Sequence, residues 1–286
     1  MMNLCKITIF ILLVIQFKGL AQINPGAKQI ALSHSTVALA NDVFAIFNNP
    51  SGTAQQNWRE IGIYYSPSPF GLSKLANGAG VYHEPTSFGS FSIAFTTYGF
   101  ELYRETSFIL AYAYNLSNQF FFGFAATYNN LTIEKYGTDN AISFSLSALT
   151  YLSENLRIGL MIDNVSRSSY GNEKDQIPVL MDFGFSYDLL KVISLNTSIQ
   201  KELDRKASIR FGVDYEIIRY LNLRLGAMNE PSSFSAGIGI NYSLFEIDYA
   251  LFNHQDLGFT HQMGIIIHFG ENLSRTERIR KYLGIR

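Results

Sequence analysis

Eight charged residues stand in stretches where polar and apolar side chains alternate: Arg157, Asp163, Asp182, Asp188, Arg210, Asp214, Arg224 and Asp248. Nearly all have a large apolar or aromatic residue on each side in sequence, as Ile209 and Phe211 flank Arg210. In a strand, successive side chains point to opposite faces, so these charges share the face away from their apolar neighbours. Charges gathered on one enclosed face can line a polar path for a solute, or pair with one another as structural fill. Arg210 and Arg224 fall on successive strands, so pairing requires acids such as Asp182 or Asp248 close by. Pairing is the simpler reading, because a narrow enclosed face leaves little continuous water.

Other chemistry finds no support. His254 and His261 flank one expected loop without a third ligand at a recognisable spacing, so no metal is expected. No Gly-x-Ser-x-Gly elbow occurs, and Gly237-Ile238-Gly239 lies inside a strand pattern rather than ahead of a helix, which argues against a phosphate loop. Lys and Arg total 22 against 23 Asp and Glu, a balance that gives no electrostatic footprint for nucleic acid. Cys5 is the only cysteine, which excludes a disulfide framework. No cofactor is expected, and the chain does not read as an enzyme.

The elements that carry these charges follow from the same alternation. Only 16% of residues are charged, while 47% are hydrophobic, so the chain is short of charge without being apolar enough for membrane helices. From residue 58 onward the period is two: Phe234, Ala236, Ile238, Ile240, Tyr242 and Leu244 alternate with Ser, Gly and Asn. Such runs predict strands near 58–66, 77–84, 88–98, 107–116, 119–130, 141–151, 155–163, 179–188, 192–202, 207–216, 220–229, 232–243, 245–252 and 260–269. Most have the length a tilted strand needs to cross a bilayer. An open sheet in lipid would leave backbone groups unsatisfied, so the expectation is an all-β fold, a transmembrane antiparallel β-barrel of about fourteen strands, with twelve as the alternative.

Tight turns are expected at 116–118, 152–154, 189–191, 217–219 and around Leu244, with longer links at 99–106, 131–140, 164–178 and 253–259. This alternation matches short periplasmic turns and longer outer loops, and puts both ends of the barrel on the periplasmic side. Tyr114, Tyr151, Tyr187, Tyr215, Tyr220 and Tyr242 sit beside the tight turns, where an interfacial aromatic girdle would lie. A soluble β-sandwich also alternates, but its outward face usually carries many Lys and Glu rather than Gly, Ser, Asn and Thr.

Residues 1–21 read as a cleaved signal peptide: Lys6, an apolar run from Ile7 to Ile15, then Gly19 and Ala21 before a cut ahead of Gln22. Residues 22–57 form a separate segment in which Ile30, Val37, Phe44 and Phe47 fall near helical spacing, ending in the turn-rich run Asn48 to Ala54. With no strand of its own, that segment is expected to bury in the lumen or the periplasmic mouth as a short helical plug. Residues 58–270 are the barrel. Residues 271–286 form a basic tail carrying Arg275, Arg278, Arg280, Lys281 and Arg286, with Ser274 and Glu277 spaced as a capping box. A contact with an acidic partner or lipid headgroups is one reading of the tail; a solvated, frayed end is the expected one.

The run from Gly26 to Asp42, followed by Ala45-Ile46-Phe47-Asn48-Asn49-Pro50-Ser51-Gly52-Thr53-Ala54, resembles the N-terminal signature of PorV/PorQ-type outer-membrane proteins, relatives of the FadL-type long-chain fatty-acid channels. The resemblance covers about thirty residues. It implies a fourteen-stranded barrel with an N-terminal plug, in which Asp42, Asn49, Pro50 and Gly52 are plug elements rather than catalytic groups. The family includes components of type IX secretion and hydrophobic-substrate channels. The chain departs from it in being short, with little room for extended outer loops, and in continuing past Phe269 into a polar tail.

Three functions follow as expectations. The first is a non-catalytic component or accessory of protein secretion in the outer membrane, with outer-membrane lipid and secretion-system proteins as partners. The second is a FadL-like passive channel for a hydrophobic small molecule. The third is a soluble exported β-sandwich that binds a ligand.

Overall fold

A computed structural model describes residues 24–171, 175–203, 205–254, 258–271 and 273–285. The expected signal peptide, residues 1–21, lies outside the described residues. Fourteen strands close into one antiparallel barrel. They are β1 Glu60–Ser66, β2 Asn77–Thr86, β3 Gly89–Phe100, β4 Tyr103–Leu116, β5 Phe120–Ile133, β6 Gly137–Tyr151, β7 Leu156–Asp163, β10 Leu180–Leu189, β11 Ile193–Glu202, β12 Ser208–Ile218, β13 Leu221–Asn229, β14 Ser232–Tyr242, β15 Phe245–His254 and β16 Gly258–His268. A two-stranded ribbon, β8 Ser169–Tyr170 with β9 Asp175–Gln176, lies in the link between β7 and β10. Each barrel strand pairs with its sequence neighbours, and β1 pairs with β16 to close the ring. Closure gives every strand two partners and leaves no open edge.

Period two sorts the side chains as expected. Phe183, Phe185, Leu225, Ile238 and Ile240 are exposed on the outer wall, whereas Ser186, Ser198, Ser235 and Gly237 face the lumen. Among the described residues no helix is long and apolar enough to cross a membrane.

The connections depart from a strict short and long alternation. At the mouth holding both ends of the barrel, here the near mouth, the turns are tight, such as residues 117–119 and 243–244. At the far mouth, among the described residues, the link 67–76 and the one between β7 and β10 are long; the expected links at 99–106 and 131–140 shrink to 101–102 and 134–136. The reason lies in what flanks the apolar band. Beyond it both strand faces are polar, so the alternation fades while pairing continues through cross-strand bonds such as Ser107 Oγ to Asn129 Oδ1 at 2.8 Å and Tyr128 OH to Asn140 Oδ1 at 2.7 Å.

Of the six tyrosines near the tight turns, Tyr114, Tyr187, Tyr215, Tyr220 and Tyr242 are exposed on the outside. Tyr151 corrects the expectation by turning inward: its hydroxyl donates to Gln55 Oε1 at 2.5 Å and its ring meets Phe121.

Residues 24–58 fill the lumen. They form helix Ala27–Ala31, a series of turns, helix Ala45–Asn48 and the 3-10 segment Pro50–Gln55, nearly all buried. The near-helical spacing of Ile30, Val37, Phe44 and Phe47 therefore does not mark one continuous helix. Pieces of four or five residues have no independent stability, and the surrounding wall imposes their shape. The Gly positions of the inner face make that fit possible. A Cβ on Gly159 would overlap the Val37 carbonyl, and one on Gly123 would overlap the Ser51 backbone N. A plug packed this tightly against backbone cannot shift to admit a side chain.

Gly159→Val is therefore expected to unseat the plug, exposing buried Lys28 to trypsin in the folded barrel, while Gly80→Val, where a Cβ meets nothing within 4 Å, leaves Lys28 protected. Equal protection in both variants would count against this packing.

Candidate functional site

The candidate site is the lumen, and its lining is divided by sector. Strands β7 to β15 carry the charges. Arg157 Nη2 lies 2.5 Å from Asp188 Oδ1 and 3.0 Å from Ser186 Oγ. Arg210 lies 3.7 Å from Asp182 and donates to Gln200 Oε1 at 2.5 Å. Arg224 Nε reaches Asp214 at 3.2 Å, its direct cross-strand neighbour, and Nη1 pairs with Asp248. These seven charges thus face inward and each is paired. Asp163 differs, since its carboxylate accepts from Ser145 Oγ and the Asn164 N–H. An Arg held between two carboxylates ties three strands together, and these buried pairs satisfy one another across the inner wall.

The plug motif residues lock the plug to itself and to the wall. Asp42 accepts from Gln29 Nε2 at 2.8 Å and from the Phe44 N–H at 2.9 Å, with Lys28 Nζ at 3.4 Å. Asn49 donates to the carbonyls of Val37 and Ala148, at 2.6 and 3.2 Å, and so joins plug to β6. Pro50 opens the 3-10 segment with φ already set for it, and Gly52 sits against the Ala40 carbonyl where a Cβ would not fit.

From β15 and β16 round through β1 to β5, inward apolar residues are interspersed with buried polar ones such as Asn77, His83, Ser92, Gln262 and His268. Tyr64, Val81, Ala94, Ile109, Phe252 and Ile266 pack on Ile30, Val43, Phe44 and Phe47 of the plug. At the far mouth, Phe70 of the 67–76 loop packs on this cluster and meets His254 edge-on at 5.9 Å. Its N–H donates to Thr260 Oγ1 at 3.0 Å, and its φ of 56° is left-handed, uncommon for an aromatic residue. On the outer wall, a groove of about 510 Å³ is bordered by Phe211, Leu225, Phe234, Leu251 and Phe259 over Ala227 and Ala236.

The near mouth overturns the expectation for the tail. Helix Arg275–Leu283 folds across the opening, burying Ile279 and Leu283 against Phe121, Tyr151 and Trp58. Arg275 pairs with Glu60 at 2.7 Å and Glu246 at 2.8 Å, and Arg278 lies 4.7 Å over the Trp58 ring. A frayed end has no such anchors; these acids are the barrel's own. Although burial opposes its charge, Glu246 and Glu60 hold the Arg275 guanidinium above its ordinary range. Burial and the neighbouring Arg275 push Arg278 down to about 10. Glu246 was visible to the same parity rule that marks Asp248, two positions on. Glu60 stands on the same parity as Gly62 and Tyr64 at the start of β1, opposite Ile61 and Ile63, so the rule reached it as well.

No protein-family model and no curated relative matches the sequence. Solved structures do resemble the fold. The CymD monoaromatic hydrocarbon channel aligns with a TM-score of 0.68 at 10% identity, covering 88% of this chain and 100% of that one. This is the FadL-like outer-membrane barrel fold. The Ralstonia pickettii toluene transporter TbuX aligns at 0.62 and 11% identity, covering 85% of this chain and 97% of its own. A Pseudomonas aeruginosa FadL homologue aligns at 0.57 and 11%, covering 88% and 98%.

Replacing Arg224 by Ala leaves Asp214 and Asp248 buried without their cation, and is expected to lower stability in detergent by about 3–5 kcal/mol in urea unfolding. Adding Asp248→Asn to that variant should recover part of the loss; no recovery would show that the pair does not act as a unit.

Proposed function

We propose that this chain is a non-catalytic outer-membrane barrel that provides a passive route for apolar small molecules. The observation that carries this reading is the apolar cluster packed between plug and wall, in a barrel whose fold matches that of a monoaromatic hydrocarbon channel over 88% of this chain. The lumen has two unlike sides. Ion pairs on β7 to β15 offer nothing to an apolar solute, whereas the side from β15 through β5 presents Tyr64, Val81, Ile109 and Phe252, with Phe70 at its far end. Transfer of apolar surface from water into such a lining is favourable by about 25 cal/mol per Å². No covalent step is required of the protein.

The outward belt of Phe, Ile and Leu, including the walls of the outer groove, is covered by the acyl chains of outer-membrane lipid. Residues 1–21 direct export and are removed, residues 22–57 act as the plug, and residues 58–270 form the barrel. The tail then closes the periplasmic side, and the far mouth faces outward.

The PorV/PorQ-like signature at 26–54 supports the alternative of a secretion accessory of the type IX kind. The plug packing of Asp42, Asn49, Pro50 and Gly52 serves either role, so the signature does not discriminate. The tight far-mouth turns favour transport, because they leave little surface to grip a secreted protein.

Liposomes containing the protein are expected to take up a labelled monoaromatic hydrocarbon faster than empty liposomes, and Ala79→Phe, which fills the apolar sector, should slow that uptake. Uptake no faster than in empty liposomes, with secretion-system proteins co-purifying from solubilised membranes, would replace this reading with the accessory role.

A further inference from the structure

The tail helix meets the near mouth through an unusual seam. Glu60 Oε1 accepts from Trp58 Nε1 at 2.7 Å, and Arg275 Nη1 lies 2.7 Å from it. Glu60 Oε2 accepts the N–H of Val43, a plug residue, at 3.0 Å. Arg275 also donates to the Asn41 carbonyl at 2.9 Å and to Glu246 on β15. One guanidinium therefore joins plug, first strand and β15.

We propose that helix Arg275–Leu283 is a displaceable latch whose release loosens the plug, with Arg275 and Glu60 as the coupling between the two. Three observations carry this. First, the helix completes its own ends: Ser274 and Glu277 form a reciprocal capping box, and Gly284 closes the other end at φ 73°. Those caps need nothing from the barrel, so undocking leaves them intact. Second, beside the apolar contacts of Ile279 and Leu283 the seam carries buried charge, Arg275 and Arg278 on Glu60 and Glu246, which after desolvation contributes little net stability. Third, the closed seam is imperfectly satisfied. Arg278 Nε and Nη1, His268 Nδ1 and both amide atoms of Gln56 are buried without hydrogen-bond partners among the described residues. Arg278 lies on the helix itself, so lifting the helix returns its unsatisfied guanidinium nitrogens to water, which favours opening. The barrel strands, by contrast, are tied by continuous ladders on both sides.

The coupling follows from Glu60. Once Arg275 leaves, Glu60 is a buried carboxylate with its main cation gone, and it can recover hydration only by giving up Trp58 or Val43. Val43 precedes the plug helix Ala45–Asn48, so the change passes into the plug rather than into the sheet. The latch is independent of what crosses the barrel, and it is read without any solute.

Hydrogen exchange on the full-length protein in detergent tests it. In Glu246→Gln the amides of 275–283 and of 43–48 should exchange about tenfold faster or more, with the strands unchanged. Lys281→Ala, which breaks only the exposed pair with Glu271, should change neither segment. Should Glu246→Gln fail to fold, judged by loss of its heat-modifiable gel shift, Arg275→Lys is expected to give the same selective change, since it keeps the charge but loses the fork. A tail protected as strongly as the strands and unmoved by these variants overturns the latch. Faster exchange in the tail alone, with 43–48 unmoved, overturns the coupling.

Discussion

The contact on which the rest of the structure depends is the approach of the plug backbone to the small residues of the inner face. A closed sheet with an apolar exterior must place every polar side chain inside, and a lumen of this width cannot stay empty without losing the packing that holds it. Gly123 and Gly159 give up side-chain volume so that residues 37–38 and 51 can lie directly on the wall. The low charge and high Gly and Ser content of the inner face are thus the imprint of the plug.

That constraint also explains why the interior is divided. Where the plug presents Ile30, Phe44 and Phe47, the wall answers with apolar residues. Elsewhere the wall carries its own charges, and these neutralise one another across strands. Arg224 between Asp214 and Asp248, and Arg157 beside Asp188, are the result. A solute that avoids buried charge is left with one side of the lumen.

The near mouth adds a second closure of a different kind. The plug is held by shape, which makes it hard to move by small steps. The tail is held by arginines on Glu60 and Glu246 with several buried atoms left unsatisfied, so it sits closer to opening. Two closures of unequal firmness at one mouth are what a stepwise opening requires.

The sequence by itself determined the two-faced alternation of the strands, a count of about fourteen with twelve left open, and the pairing needs of the lumen charges, because a period of two is a local property. The shared inward parity of Asp182, Arg210, Asp214, Arg224 and Asp248 was legible for that reason. Tertiary structure decided whatever lacked a local period. The turns at 101–102 and 134–136 depend on pairing beyond the apolar band, while Tyr151 faces inward with the parity of Ser145, Ser147 and Leu149 and only the structure shows Gln55 there to meet it. The plug's shape depends on the wall around it. The tail gave the least away: five basic residues in a row of sixteen read as a solvated end until the barrel places Glu60 and Glu246, 186 positions apart in the chain, beneath them. Charge shows that a partner is needed; only the closed sheet shows that the partner is already there.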